Sequence, residues 1–172
     1  MEILDLYDRE RIKTNETIIR GSPVPKGRYH LVIHICIFNN KGEMLIQKRS
    51  ISKANWPGLW DVSVGGAVQQ GNHSWQQAQL ELREELGLNC DFSQVRPSLT
   101  VNFEFGFDDF YLLNMDADLR SLHLQAEEVD EVMWASEEKI LNMMEEGSFL
   151  NYQPSLISTL FAMRFQMGVL VK

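Results

Sequence analysis

The chain is short of cysteine, of positive charge and of long apolar runs, and each shortage removes a class of protein. Its two cysteines, Cys36 and Cys90, lie in or beside apolar stretches and form no set of spaced pairs. No disulfide framework is therefore encoded, and buried thiols in a reducing cytoplasm are expected. Sixteen Lys and Arg stand against twenty-four Asp and Glu, for a net charge of -8 and a pI near 5.0. That balance excludes broad electrostatic binding to nucleic acid or an anionic membrane, and a small anion would have to be met by a local cluster of cations. No stretch reaches the ~18 uncharged apolar residues needed to span a bilayer, and no amino-terminal segment reads as a signal peptide. A soluble, cytoplasmic protein is expected. Internal repeats and low-complexity tracts are absent as well.

What is present suits one core. A chain of 172 residues, 44% hydrophobic and 10% aromatic, is predicted to form a single domain over residues 1–172. Residues 1–27 read as a hairpin, Met1 to Tyr7 with Lys13 to Ile19, followed by a loop punctuated by Gly21, Pro23, Pro25 and Gly27. Tyr29 to Phe38 is rich in branched and aromatic residues and predicts a central strand, turned at Asn39 to Gly42 into a partner at Glu43 to Lys48. Asp61 to Val64 predicts a short strand. Leu99 to Phe105 and Asp109 to Leu113 predict a hairpin turned near Gly106 to Asp108, and an acidic turn precedes a strand ending at Trp134. Ser136-Glu-Glu opens a helix that Gly147 stops, and a final helix is predicted over 155–167.

The stretch Gly66 to Leu88 holds the densest chemistry. Ser74 with Gln77 is a capping-box start and Gly87 a left-handed stop, so a helix should run from Trp75 to Leu86. Trp75, Ala78, Leu82 and Leu86 form its apolar stripe, and Glu81, Glu84 and Glu85 fall on an adjacent face at i, i+3, i+4. Like charges so placed repel by a few tenths of a kcal/mol per pair. Mg2+ or Mn2+ would remove that cost, since carboxylate oxygens suit hard cations that also take oxygens from a substrate phosphate. An ordinary solvated acidic face is the other reading. Lys48, Arg49 and Lys53 cluster at the end of a strand and in the loop after it. They either point at a diphosphate or are solvent-facing ends. Gly65 and Gly66 allow close approach of the backbone to a ligand or to the helix. Glu127 and Glu128 would approach the acidic patch from the other side, or form a plain surface turn.

The same stretch resembles the Nudix box: glycine, five residues, Glu, seven residues, Arg-Glu, an aliphatic, any residue, Glu-Glu, any residue, glycine, aliphatic. Gly66, Glu81, Leu82, Glu84, Glu85, Gly87 and Leu88 stand at their places, whereas Asn72 replaces the first glutamate and Leu80 the arginine. Tyr29 to Val32, Gln47 to Arg49, Lys53 to Trp60 and the turn before Trp134 look like the branch related to isopentenyl-diphosphate isomerase. The resemblance implies an α/β/α sandwich around a mixed β-sheet, and a metal-dependent hydrolase of a nucleoside diphosphate derivative or related organic pyrophosphate. In the family the glutamates matching Glu84 and Glu85 bind metal and the one matching Glu81 binds metal or acts as base. Catalysis and metal are therefore expected at Glu81, Glu84 and Glu85, with Gly66 as a further metal ligand; Arg49, Lys53, Gly65 and Gly66 are the expected substrate contacts. In the family the arginine orients the catalytic glutamate and the first glutamate fixes the loop on the helix. Both are missing here, so slower turnover is expected unless another cation such as Arg49 compensates. Two alternatives follow. An isomerase would need a cysteine before a Gly-His pair, where Gly65, Gly66 and Ala67 stand, although His30 matches another family metal histidine. A non-catalytic Nudix domain would bind nucleotide or protein. A small-molecule diphosphate is the implied partner, and a homodimer through the hairpin or the final helix is the association allowed by analogy.

Overall fold

In the computed structural model, which describes residues 2–168 and 170, the chain opens with strands β1 (Ile3–Tyr7), β2 (Lys13–Ile19), β3 (His30–Phe38) and β4 (Met44–Arg49). Strands β5 (Trp60–Asp61) and β6 (Val64–Ala67) lead to helix α1 (Ser74–Leu86). Strands β7 (Leu99–Phe103), β8 (Gly106–Asn114) and β9 (Val129–Ala135) and helices α2 (Glu137–Glu145) and α3 (Pro154–Met163) complete the order. Strand β3 pairs in parallel with β8 and antiparallel with β4 and β6, and β4 pairs antiparallel with β5 and β9. With β7 antiparallel to β8, the result is a mixed seven-stranded sheet.

The period of two in β3 sorts its side chains to two helical layers. Leu31, Ile33, Ile35 and Ile37 pack with Ala78, Leu82 and Leu86 of α1. Cys36 and Phe38 pack with Ile140 and Met143 of α2 and Ile157, Leu160 and Phe161 of α3. Helices therefore cover both faces, as the resemblance implied, and each fully buried aliphatic side chain contributes roughly 1.5–3 kcal/mol. The β1–β2 hairpin forms a sheet of its own and closes on the loop ahead of α1. Asp5 accepts from the Gly71 N–H at 2.8 Å, the Ile3 carbonyl accepts from the Gln70 N–H at 2.7 Å, and Arg11 ion-pairs with the fully buried Asp109.

Several boundaries differ from expectation for identifiable reasons. The N-cap of α1 is His73, whose N–H donates to Gln76 Oε1 at 2.8 Å. Ser74 does not cap because its hydroxyl is engaged by Asp109 at 2.5 Å and Tyr111 at 2.9 Å. The Asp61 to Val64 strand is two strands, the second continuing through Gly65 and Gly66, which pair with His34 and Ile33. The β7–β8 turn falls before Gly106, because Gly106 already pairs with Phe103 and His30. Helix α3 ends at Met163 rather than near Met167, which is exposed, and the Arg164 guanidinium folds back onto the Phe161 carbonyl. Met1, included in the first predicted strand, lies outside the described residues.

Candidate active site

Helix α1 can form at this point because Ser74 to Leu86 contains no proline, glycine or β-branched residue, and Gly87, at φ 69°, closes it with its N–H on the Arg83 carbonyl. The helix buries Ala78, Leu82 and Leu86 on the sheet, and the neighbouring face then carries Glu81 and Glu85 inward one turn apart. Glu85 is 2% exposed. Gly66, in β6, lies directly against Glu81: a Cβ built there would overlap the Glu81 carboxylate. Glycine at this place is a requirement of space. Glu84, the third member of the predicted patch, is exposed and sits close enough to oppose ionisation of Glu81.

Burial pushes the Glu81 carboxyl up to about 7; the Gln77 hydrogen bond opposes this, the Glu84 charge adds to it, and the Arg20 charge opposes it. Burial likewise pushes Glu85 up to about 8, reinforced by the Glu81 charge and opposed by a hydrogen bond from Gln47. Two neutral amides thus hold the two acids. Gln77 Nε2 donates to Glu81 Oε1 at 2.8 Å, and Gln47 Nε2 donates to Glu85 Oε2 at 2.9 Å. The other end of Gln47, Oε1, is buried without a partner. The cation suggested to compensate for Leu80 does not do so. The β4–β9 register slips between Lys48 and Arg49, and Arg49 then reaches Asp61 at 3.1 Å and the Asn55 carbonyl, away from Glu81.

A cavity of about 660 Å3 opens beside Gly65 and Gly66. His30, Val32 and His34 line it from the face of β3 opposite α1, and Leu4, Ile18 and Ile19 line it from the hairpin. His34 Nε2 pairs with Asp108 Oδ1 at 3.1 Å, and Tyr152 donates to Asp61 Oδ1 at 2.8 Å. Arg49 and Arg20 supply its positive charge. Trp56 joins the lining under the Arg49 guanidinium, 5.9 Å from ring centre, with an unusual positive φ of 49°. Trp60, by contrast, is half-buried and packs against the α2–α3 core cluster. Lys53 does not reach the cavity; it ion-pairs with Glu128, and the charges of both act on Glu85. Glu127 is exposed and contributes its carbonyl to Ser52. Sequence reasoning missed Arg20, Gln47 and Gln77. For Gln47 a signal existed: two residues after the α1-facing Leu45, it must face the same helix.

Among the described residues, no three acid, imidazole or thiol side chains close around a metal position. That is compatible with Mg2+ or Mn2+, which uses one or two carboxylates together with waters and substrate phosphate. The two buried, mutually repelling acids, Glu81 of which lies against the Gly66 backbone, supply suitable hard donors. Residues 28–152 match the model of the NUDIX domain. The chain belongs to the Nudix family. Nudix hydrolases act on pyrophosphate bonds, and this chain is such a hydrolase. It is 43% identical over 152 residues to an uncharacterized Nudix hydrolase of Listeria innocua, covering 88% of this chain and 90% of that one. A solved structure of a Deinococcus radiodurans protein superposes with a TM-score of 0.76 at 28% identity, covering 92% of this chain and 99% of that one. The isopentenyl-diphosphate Delta-isomerase 2 of Photorhabdus laumondii is 26% identical over 150 residues, covering 79% and 75%. Nudix hydrolases in general need a divalent metal. Among the described residues, no helix is long and apolar enough to cross a membrane.

Proposed function

We propose that this Nudix hydrolase cleaves the diphosphate linkage of a nucleoside diphosphate derivative or a related organic pyrophosphate, with Mg2+ or Mn2+ held by Glu81 and Glu85 with the Gly66 backbone, and with the exposed Glu84 adding its charge to the patch. The observation that carries the reading is Glu81 packed on Gly66, one helical turn from the buried Glu85, beside a cavity that Gly66 lines together with Arg20 and Arg49. A bound divalent ion would supply positive charge to the phosphoryl oxygens and acidify the attacking water. Glu81, buried and poised near neutrality, takes the proton of that water. Arg49, positioned by Asp61 and Asn55, neutralises the diphosphate, and the glycine pair admits it close to the backbone. The apolar hairpin wall keeps bulk water from the linkage. Residues 1–172 then work as one unit, because the hairpin lines the cavity that the box serves.

The isomerase reading finds no thiol to use. Cys36 is fully buried in the α2–α3 layer, where burial raises its pKa, and Cys90 packs on the α1 side of the sheet. The reading is tested by incubating the protein with a panel of nucleoside diphosphate derivatives and nucleoside and isoprenoid diphosphates with Mg2+, and following release of phosphate and of phosphomonoesters. Hydrolysis that disappears in Glu85→Gln supports it. Interconversion of isopentenyl and dimethylallyl diphosphates, or metal-independent binding without turnover, sinks it.

A further inference from the structure

Gln77 makes an unusual set of contacts for a helix residue. It is 1% exposed, and its Oε1 accepts from the Gln69 backbone N–H at 3.1 Å and from Asn72 Nδ2 at 2.9 Å, while its Nε2 donates to Glu81 Oε1 at 2.8 Å. A backbone N–H can only donate, so the oxygen of this amide must face Gln69 and its NH2 must face Glu81. The orientation is fixed by chemistry. Asn72 then has to present its own NH2 to the second lone pair of Gln77, which fixes that side chain in turn. The same Glu81 Oε1 lies against Gly66, with no space for a Cβ there. The Glu81 carboxylate thus meets a backbone surface and one directed donor at the same oxygen.

From this we infer that Gln77, seated by Asn72, is the positioning residue for Glu81, and that a neutral amide relay does in this chain what the charged pair missing at Asn72 and Leu80 would do. One side chain performs both tasks: its oxygen ties the loop 69–72 to α1, and its nitrogen aims the carboxylate. The inference rests on Glu81 being part of the working site. Removing an outer partner that orients a metal ligand typically costs about 10–100-fold in metal affinity or activity, and Gln77→Leu, which keeps most of the volume, should fall in that range.

Three measurements test it. Between metal-free crystals of the wild type and of Gln77→Leu, Glu81 should change rotamer, and Glu81 found in the same place in both overturns the inference. In the folded variant, Mn2+ should bind about 10-fold or more weakly by calorimetry, and kcat should drop with KM for the diphosphate unchanged. Equal Mn2+ affinity, or a loss confined to KM, also overturns it. Adding Asn72→Glu and Leu80→Arg to Gln77→Leu reinstalls a charged pair and should recover Mn2+ affinity, which simple repair of packing would not. Should the wild-type protein hydrolyse no diphosphate, the functional proposal fails, while the crystal comparison still decides the role of Gln77.

Discussion

At the scale of single residues the site is built from close fits. Gly66 leaves room for the Glu81 carboxylate, which any Cβ there would displace. Gly66→Ala is expected to lower hydrolysis by about two orders of magnitude, the usual consequence of misplacing a reacting group by roughly 1 Å, with the protein still folded by circular dichroism. Retained activity would remove Glu81 from the mechanism. That Glu81 and Glu85 share a face was legible in the sequence, because they stand one helical turn apart, whereas Glu84, predicted to join them, is exposed. The amides were not legible. A glutamine has no distinctive spacing, and Gln77 read equally well as the partner of a serine cap until Ser74 was found bound to Asp109 and Tyr111. Arg20 was hidden differently, since it reaches the cavity from the hairpin, far from the box in sequence.

At the scale of elements, α1 is a rigid carrier whose apolar stripe sets where its acids stand. Leu82, on the apolar stripe beside Glu81 and Glu85, is fully buried. Leu82→Ala should cost roughly 2–5 kcal/mol, read as a lower denaturant midpoint at unchanged slope. A cost under 1 kcal/mol would mean that the helix does not depend on this contact. The elements themselves were mostly legible, because β3 alternates between two buried faces and α1 repeats every three to four residues. Their ends were less so. Cap positions depend on what distant residues do with a hydroxyl, and the extension of β6 through two glycines depends on pairing with β3. The bulge that turns Arg49 toward Asp61 is likewise a property of two strands together.

At the scale of the whole molecule, the two buried acids make stability depend on pH and metal together. Their carboxyl groups titrate near 7 and 8 when folded, against about 4.3 in an open chain. The folded state therefore holds these protons more tightly, so metal-free stability is greatest at the acidic end of this window and is lost as pH climbs from ~4.5 to ~8. Metal-free Tm should fall between about pH 5.5 and 8.5, and Mg2+ should restore it chiefly at the upper end, where no protons compete with the cation. Glu85→Gln should flatten the metal-free profile; a wild-type Tm that rises with pH would show both acids to be solvated. The parallel pairing of β3 with β8 has a further consequence, in time. His34 and its partner Asp108 are separated by 74 residues, which a ribosome adds in roughly 4–15 s. Over that interval the box helix is already synthesised, while one edge of the most hydrophobic strand has nothing to pair with. The growing chain thus offers chaperones, or a neighbouring nascent chain, an open strand edge until the second half of its own sheet arrives.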